Sequence, residues 1–235
     1  EGHSFLKHYE TCDVILHLLR GWEDEELTHY HETVDPVRDA TLLNHELLMH
    51  DLLKIEARIN ELTEEGDLLE YNHSAFGKTL KWERWTLLRA WELLIGRPRD
   101  ETVVKGGKRP VPEMPTQCGG IALRYAIWEP FEAKFLQDMK LLSAKPVVYL
   151  LNVSDRDFLR GRSAYTEDLK AHIKEHLGGG EVIPISAHLE YDLLNYKKQS
   201  KIERYLRANP THVSVIPHVM FITRRALKLI TFYVA

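Results

Sequence analysis

The chain of 235 residues has few cysteines and no long apolar run. Its two cysteines, Cys12 and Cys118, are too few for a disulfide framework and form no paired metal motif. This fits a reducing compartment, the cytoplasm, with the mitochondrion as the alternative. No apolar stretch approaches the length of a bilayer span, and neither a secretory signal nor a transit peptide is recognisable, so no membrane partner is expected. Excess charge of one sign is also missing. Net charge is −4 and the pI about 6.4, which demands no nucleic-acid partner, although a local basic patch could exist; the cluster Arg156, Arg160 and Arg162 reads as solvated. There is no Gly-x-x-x-x-Gly-Lys-Ser/Thr loop after a strand and no Asp-x-x-Gly. The hydrophobic share of 44% and charged share of 28% are ordinary for a chain that buries a core.

The patterning present is that of an α/β protein. Residues 12–20, CDVILHLLR, form an apolar run expected as a strand buried on both faces. An acidic loop follows, and the Asp35-Pro36 pair turns the chain towards a helix. Leu43, Leu47, Leu48, Leu52, Ile55, Ile59 and Leu62 recur at helical spacing, as do Trp82, Trp85, Leu88, Trp91 and Leu94. Together they predict a helical hairpin, a short antiparallel coiled coil, with the tryptophans packed inside it; an exposed tryptophan stripe would instead mark a partner surface. Residues 96–120 are rich in Gly, Pro and charge and read as a long mobile loop. Strands are then expected at 146–152 and over EVIPIS, with helices between and after them.

Several motif-like stretches carry no chemistry. Gly77-Lys78-Thr79 ends like a phosphate loop, but helical patterns flank it, so a hairpin-tip turn is expected. His45 and His50 lie five apart, about 140° round a helix, and cannot readily share a metal. His29 and His31 sit in the acidic loop and read as solvated. Gly178 to Gly180 is a helix stop.

The informative feature is a pair of strand endings. In open α/β sheets, ligands sit at the carboxyl ends of the strands. One strand ends in Asn152-Val153-Ser154-Asp155, and the next, about thirty residues on, in Ser186-Ala187. Guanine-nucleotide proteins read the base with two such turns. An Asp carboxylate accepts from the ring N–H and the exocyclic amine, an Asn side chain ties the loops together, and a Ser-Ala backbone N–H meets the base carbonyl. A buried carboxylate that loses its partners is costly, which makes such a site discriminating.

The blocks SFLKHYETCDVILHLLRGWEDEELTHYHETVDPVRD, KPVVYLLNVSDRDF, VIPISAHLE, YLRANPTHVSVIPHVM and ALKLITFYVA, in this order, resemble the Obg-like ATPase (YchF) family of P-loop NTPases, in the translation-factor-related GTPase class. The resemblance covers most of residues 3–39 and 134–235 and is faint between them. It implies the C-terminal half of a P-loop G domain. Residues 1–39 and 134–235 would belong to that domain, and 40–133 would be the family's helical insertion. The chain then reads as a fragment without the P-loop half and without the small TGS domain, and its last strand would lead into the latter. The implied activity is hydrolysis of ATP or GTP with Mg²⁺, as a ribosome- or translation-associated switch that touches the ribosome or ribosomal RNA. The alternative is a non-hydrolysing scaffold or assembly factor in a ribonucleoprotein complex.

The implied base-binding residues are Asn152, Val153, Asp155, Ser186 and Ala187. Catalytic residues and Mg²⁺ ligands would lie outside this chain. The family usually carries Asn-x-x-Glu and prefers ATP. Here Val153 follows the family, while Asp155 has the guanine-type carboxylate length. Deleting residues 100–118 is expected to leave folding nearly intact; a large drop in thermal stability would show that the segment packs.

Overall fold

The computed structural model describes residues 2–24, 27, 31–68, 75–96, 120–195, 199–208 and 213–229. Most of the Gly/Pro/charged segment, His29, Cys118 and the final TFYVA stretch lie outside the described residues. The chain divides into two compact units, one of residues 1–12 and 43–145, the other of 13–42 and 146–235.

The second unit is built on three parallel strands, β1 (Ile15–Arg20), β2 (Val147–Asn152) and β3 (Glu181–Ile185), in the order β1-β2-β3. This is the α/β class expected. Leu18 pairs with Leu150 and Arg20 with Asn152, while Asn152 pairs with Ile185 on its other side. All three strands therefore finish at one edge. The β2–β3 crossover contains α5 (Asp155–Arg160) and α6 (Thr166–His176); α6 packs on β3 and buries Leu169 and Ile173. On the sheet, Val148 and Ile183 meet Val219 and Ile222 of α9 (Ile216–Ala226). Between β3 and α9 lie α7 (Ala187–Asn195) and α8 (Gln199–Ala208).

The β1 run departs from the expected two-sided burial. Side chains alternate across a strand: Ile15, His17 and Leu19 are buried, but Leu16 and Leu18 are 46% and 60% exposed. The register places them beside Val148 and Leu150, on the face that α9 covers further along the sheet.

α2 (Pro36–Leu68) begins as Asp35-Pro36 dictates. Asp35 Oδ1 accepts from the N–H groups of Val37 and Arg38, both at 3.0 Å, and Pro36 occupies the first turn, where a missing N–H costs nothing.

In the first unit, the part of α2 from Leu43 onward pairs with α3 (Ala75–Ile95), beside α1 (Gly2–Tyr9) and α4 (Pro130–Asp138). Trp91 Nε1 donates to Glu56 at 3.0 Å and Arg58 reaches Glu83 at 3.4 Å, so the two helices run antiparallel. Leu48, Leu52, Ile55 and Leu62 interleave with Leu80, Leu87, Ala90 and Leu94. The fully buried Asp51 carboxylate accepts from the N–H groups of Leu142 (2.8 Å) and Ser143 (2.6 Å), which fixes the chain just before β2. Only one of the three hairpin tryptophans packs as expected: Trp91 does, but Trp82 and Trp85 are 57% and 61% exposed. Helical spacing alone does not say which side of α3 the partner occupies. Gly77, Lys78 and Thr79 lie within α3, so they form no phosphate loop. His50 sits between Glu10 (3.5 Å) and Asp51 (3.4 Å), and no metal-ligating cluster occurs among the described residues.

His17 lies under the sheet beside Tyr149, with ring centroids 5.5 Å apart. Burial pushes its pKa down from 6.5 to about 4, against a smaller upward pull from Asp39. The unfolded chain therefore takes up a proton that the folded chain refuses, and stability is full above about pH 6.5 and falls towards pH 4. Urea unfolding is expected to show a loss of about 2 kcal/mol between about pH 7 and pH 5, removed in His17→Phe. An equal pH dependence in both proteins would exclude His17 as the source.

Candidate base-binding site at the strand ends

The parallel ladder continues past the ends of the strands. Gly21 N–H donates to the Asn152 carbonyl at 2.7 Å, and Val153 N–H donates to the Ile185 carbonyl at 2.9 Å. Gly21 allows this approach: a Cβ there would stand 2.6 Å from Leu151 Cδ1 and 3.3 Å from the Asn152 oxygen. Arg20 closes the end of β1, its Nε donating to the Trp22 carbonyl at 3.0 Å with the guanidinium over the Trp22 ring.

The fold brings together all five residues singled out in the sequence. Asn152 Oδ1 accepts from the Ala187 N–H at 3.0 Å, so its side chain ties the β2 turn to the β3 turn. The amide expected to face a base carbonyl is thus engaged by Asn152 in this structure. Val153 is 3% exposed, its side chain sunk beneath the turn. Ser154 caps α5: its Oγ accepts from Asp157 N–H (3.1 Å) and its hydroxyl donates to Asp157 Oδ2 (2.8 Å). Asp155 thereby opens α5, where the exposed amides and dipole of a helix N-terminus favour an anion.

Asp155 is held from two sides. The Ser186 hydroxyl donates to its Oδ1 at 2.5 Å, a length typical of a charge-assisted O–H···O⁻ bond. Ser186 is 1% exposed, and its oxygen also accepts from Leu189 N–H at 3.2 Å, capping α7. The second oxygen, Oδ2, lies 2.7 Å from His188 Nδ1. An ionised carboxylate only accepts, so this nitrogen carries the proton. The Asp155 side chain remains 38% exposed and the His188 side chain 70%. The arrangement is a partly exposed carboxylate on a rigid edge, which can accept paired N–H donors from a planar ligand.

Sequence reasoning missed His188, since no base-reading pattern calls for histidine after Ser-Ala. Its signal was its place at the second residue of α7, a turn already aimed at Asp155. The α5 cap was missed as well, although Ser-x-x-Asp at 154–157 is a helix-start pattern.

A three-stranded parallel sheet with flanking helices and two polar turns at its carboxyl edge is a partial P-loop G-domain fold. Comparison with known proteins gives the more particular result. The chain is 30% identical over 236 residues to an Obg-like ATPase 1 of Schizosaccharomyces pombe, an alignment covering 99% of this chain and 53% of that protein. With an Obg-like ATPase 1 of Oryza sativa subsp. indica it shares 31% identity over 234 residues, 100% of this chain and 51% of the relative. A solved structure described as the Schizosaccharomyces pombe YchF GTPase superposes with a TM-score of 0.74 at 27% identity, covering 95% of this chain and 52% of that one. No family model matches the chain. The chain is therefore a homologue of the Obg-like ATPases along its whole length, and it spans about half the length of the relatives it matches.

Asn152→Ala leaves the Ala187 N–H without its acceptor. A loss of about 1 kcal/mol in denaturant unfolding is expected, with faster hydrogen exchange at Ala187. Unchanged exchange there would show that Asn152 does not hold the two turns together.

Proposed function

We propose that the edge formed by Asn152, Val153, Asp155, Ser186 and Ala187 binds the base of a purine nucleoside triphosphate, and that the full protein hydrolyses ATP or GTP as a ribosome- or translation-associated switch. One observation supports the base site above all. The Asp155 carboxylate stands partly exposed at the strand ends, on two turns locked to each other through Asn152 and Ser186. Preorganisation of this kind holds the carboxylate at the strand ends before a ligand arrives. The activity itself rests on the relatives, whose names describe an ATPase and a GTPase.

Nucleoside triphosphates travel with Mg²⁺. The described residues contain no group of three or more His, Cys, Asp or Glu side chains that could hold a metal ion. The residues of this chain bind and orient the base. The exposed Arg156, Arg160 and Arg162, on and just after α5, supply guanidinium groups that RNA phosphates would engage on a ribosome. No helix among the described residues is long and apolar enough to cross a membrane.

Calorimetric titration of the full-length protein with ATP and GTP, each with Mg²⁺, tests the reading. Either nucleotide should bind, and Asp155→Ala should weaken binding about tenfold or more, the cost of losing hydrogen bonds to a charged acceptor. Unchanged affinity would sink the assignment of Asp155. No binding by the folded protein would leave the scaffold reading in its place.

A further inference from the structure

We infer that His188 determines specificity by competing with the purine base for Asp155, and that it penalises guanine more than adenine. The inference rests on the base-site reading above. Asp155 Oδ1 is committed to Ser186, which is buried and built into the cap of α7, whereas among the described residues Oδ2 is held by an exposed imidazole alone. Guanine presents two adjacent donors, a ring N–H and an exocyclic amine. A two-pronged grip takes a bond on each carboxylate oxygen, so guanine meets the His188 imidazole at Oδ2 and competes with it there. Adenine has an acceptor nitrogen where guanine has its ring N–H, and its one amine stands where guanine has its carbonyl, so adenine brings one donor at most to the carboxylate. A single bond to the carboxylate satisfies that amine and leaves room for the imidazole on Oδ2.

The position of His188 argues that the contact is no helix-stabilising device. A cation in the first turn of α7 faces the positive end of the helix dipole, which is unfavourable. Two carboxylates offset this: Asp155 on α5 and Asp192 one turn further along α7. The hydrogen bond to Asp155 and its charge, then the charge of Asp192, raise the pKa of His188 above 6.5 against a small opposing effect of desolvation. Below that raised value the ring is charged and holds Asp155 more firmly; as pH rises through it, the hold weakens. Discrimination against guanine should therefore be strongest in mild acid.

The test uses the full-length protein and the ratio of GTP to ATP affinity measured by calorimetry at about pH 6 and about pH 8. Titration of the phosphates is common to both nucleotides and cancels in the ratio. In the unaltered protein the ratio should rise with pH. In His188→Ala it should be about threefold higher at the lower pH and nearly independent of pH. His188→Lys keeps a cation throughout, and its ratio should stay low and flat. If Asp155→Ala weakens binding but His188→Ala leaves the ratio and its pH dependence unaltered, the competition is overturned while the base site stands. If Asp155→Ala changes neither nucleotide's affinity, the base site itself falls, and this inference with it.

Discussion

The candidate site depends on one residue of the central strand that bonds to the turns after both neighbouring strands. Asn152 ends β2. Its carbonyl receives Gly21 from the β1 side, and its side chain receives the Ala187 amide from the β3 side. The N–H of Val153, next in the chain, closes on the Ile185 carbonyl. These bonds carry the regular ladder one step past the sheet, so the turns leave it in a fixed relation. Backbone polar groups at strand ends need partners. Here the partners come from the neighbouring turn, and pairing the turns also constructs the edge on which Asp155 stands.

On that edge, secondary structure serves electrostatics. α5 and α7 both begin at the carboxyl end of the sheet, each with a serine cap, Ser154 and Ser186. Asp155 takes the favourable place for an anion at the start of α5, and Ser186 turns its hydroxyl proton towards that anion while its oxygen caps α7. One buried hydroxyl thus links the stability of a helix to the aim of a carboxylate. Beneath the edge, the sheet interior is apolar enough to keep His17 neutral in ordinary conditions.

The helical unit relies on a different constraint. Its α2–α3 core is a leucine-rich interface, but the segment that returns towards β2 is fastened by the fully buried Asp51. A buried carboxylate is tolerated when its lone pairs are met, and two backbone amides meet them here. Trp82 and Trp85, by contrast, remain open on α3.

Much of this was legible in the order of residues. The run of apolar residues before NVSD, the run before Ser-Ala, the Asp-Pro start of α2 and the glycine stop after α6 are local patterns, and local hydrogen bonding and backbone sterics suffice to realise them. The same blocks carried the resemblance to the Obg-like ATPases, and with it the α/β architecture. What a periodic pattern does not contain is the identity of the neighbour. Leu16 and Leu18 read as buried, and Trp82 and Trp85 as packed, because the pattern marks a face without saying whether anything lies against it. The Asn152–Ala187, Asp155–Ser186 and Asp155–His188 contacts join residues more than thirty positions apart. Strand register and two helix starts place them together. The sequence by itself determined the strands, the helices and the polar turns, since those follow from interactions a few residues long. Only the tertiary structure decided that a histidine would share the carboxylate of Asp155, since that depends on how two separate turns meet in space.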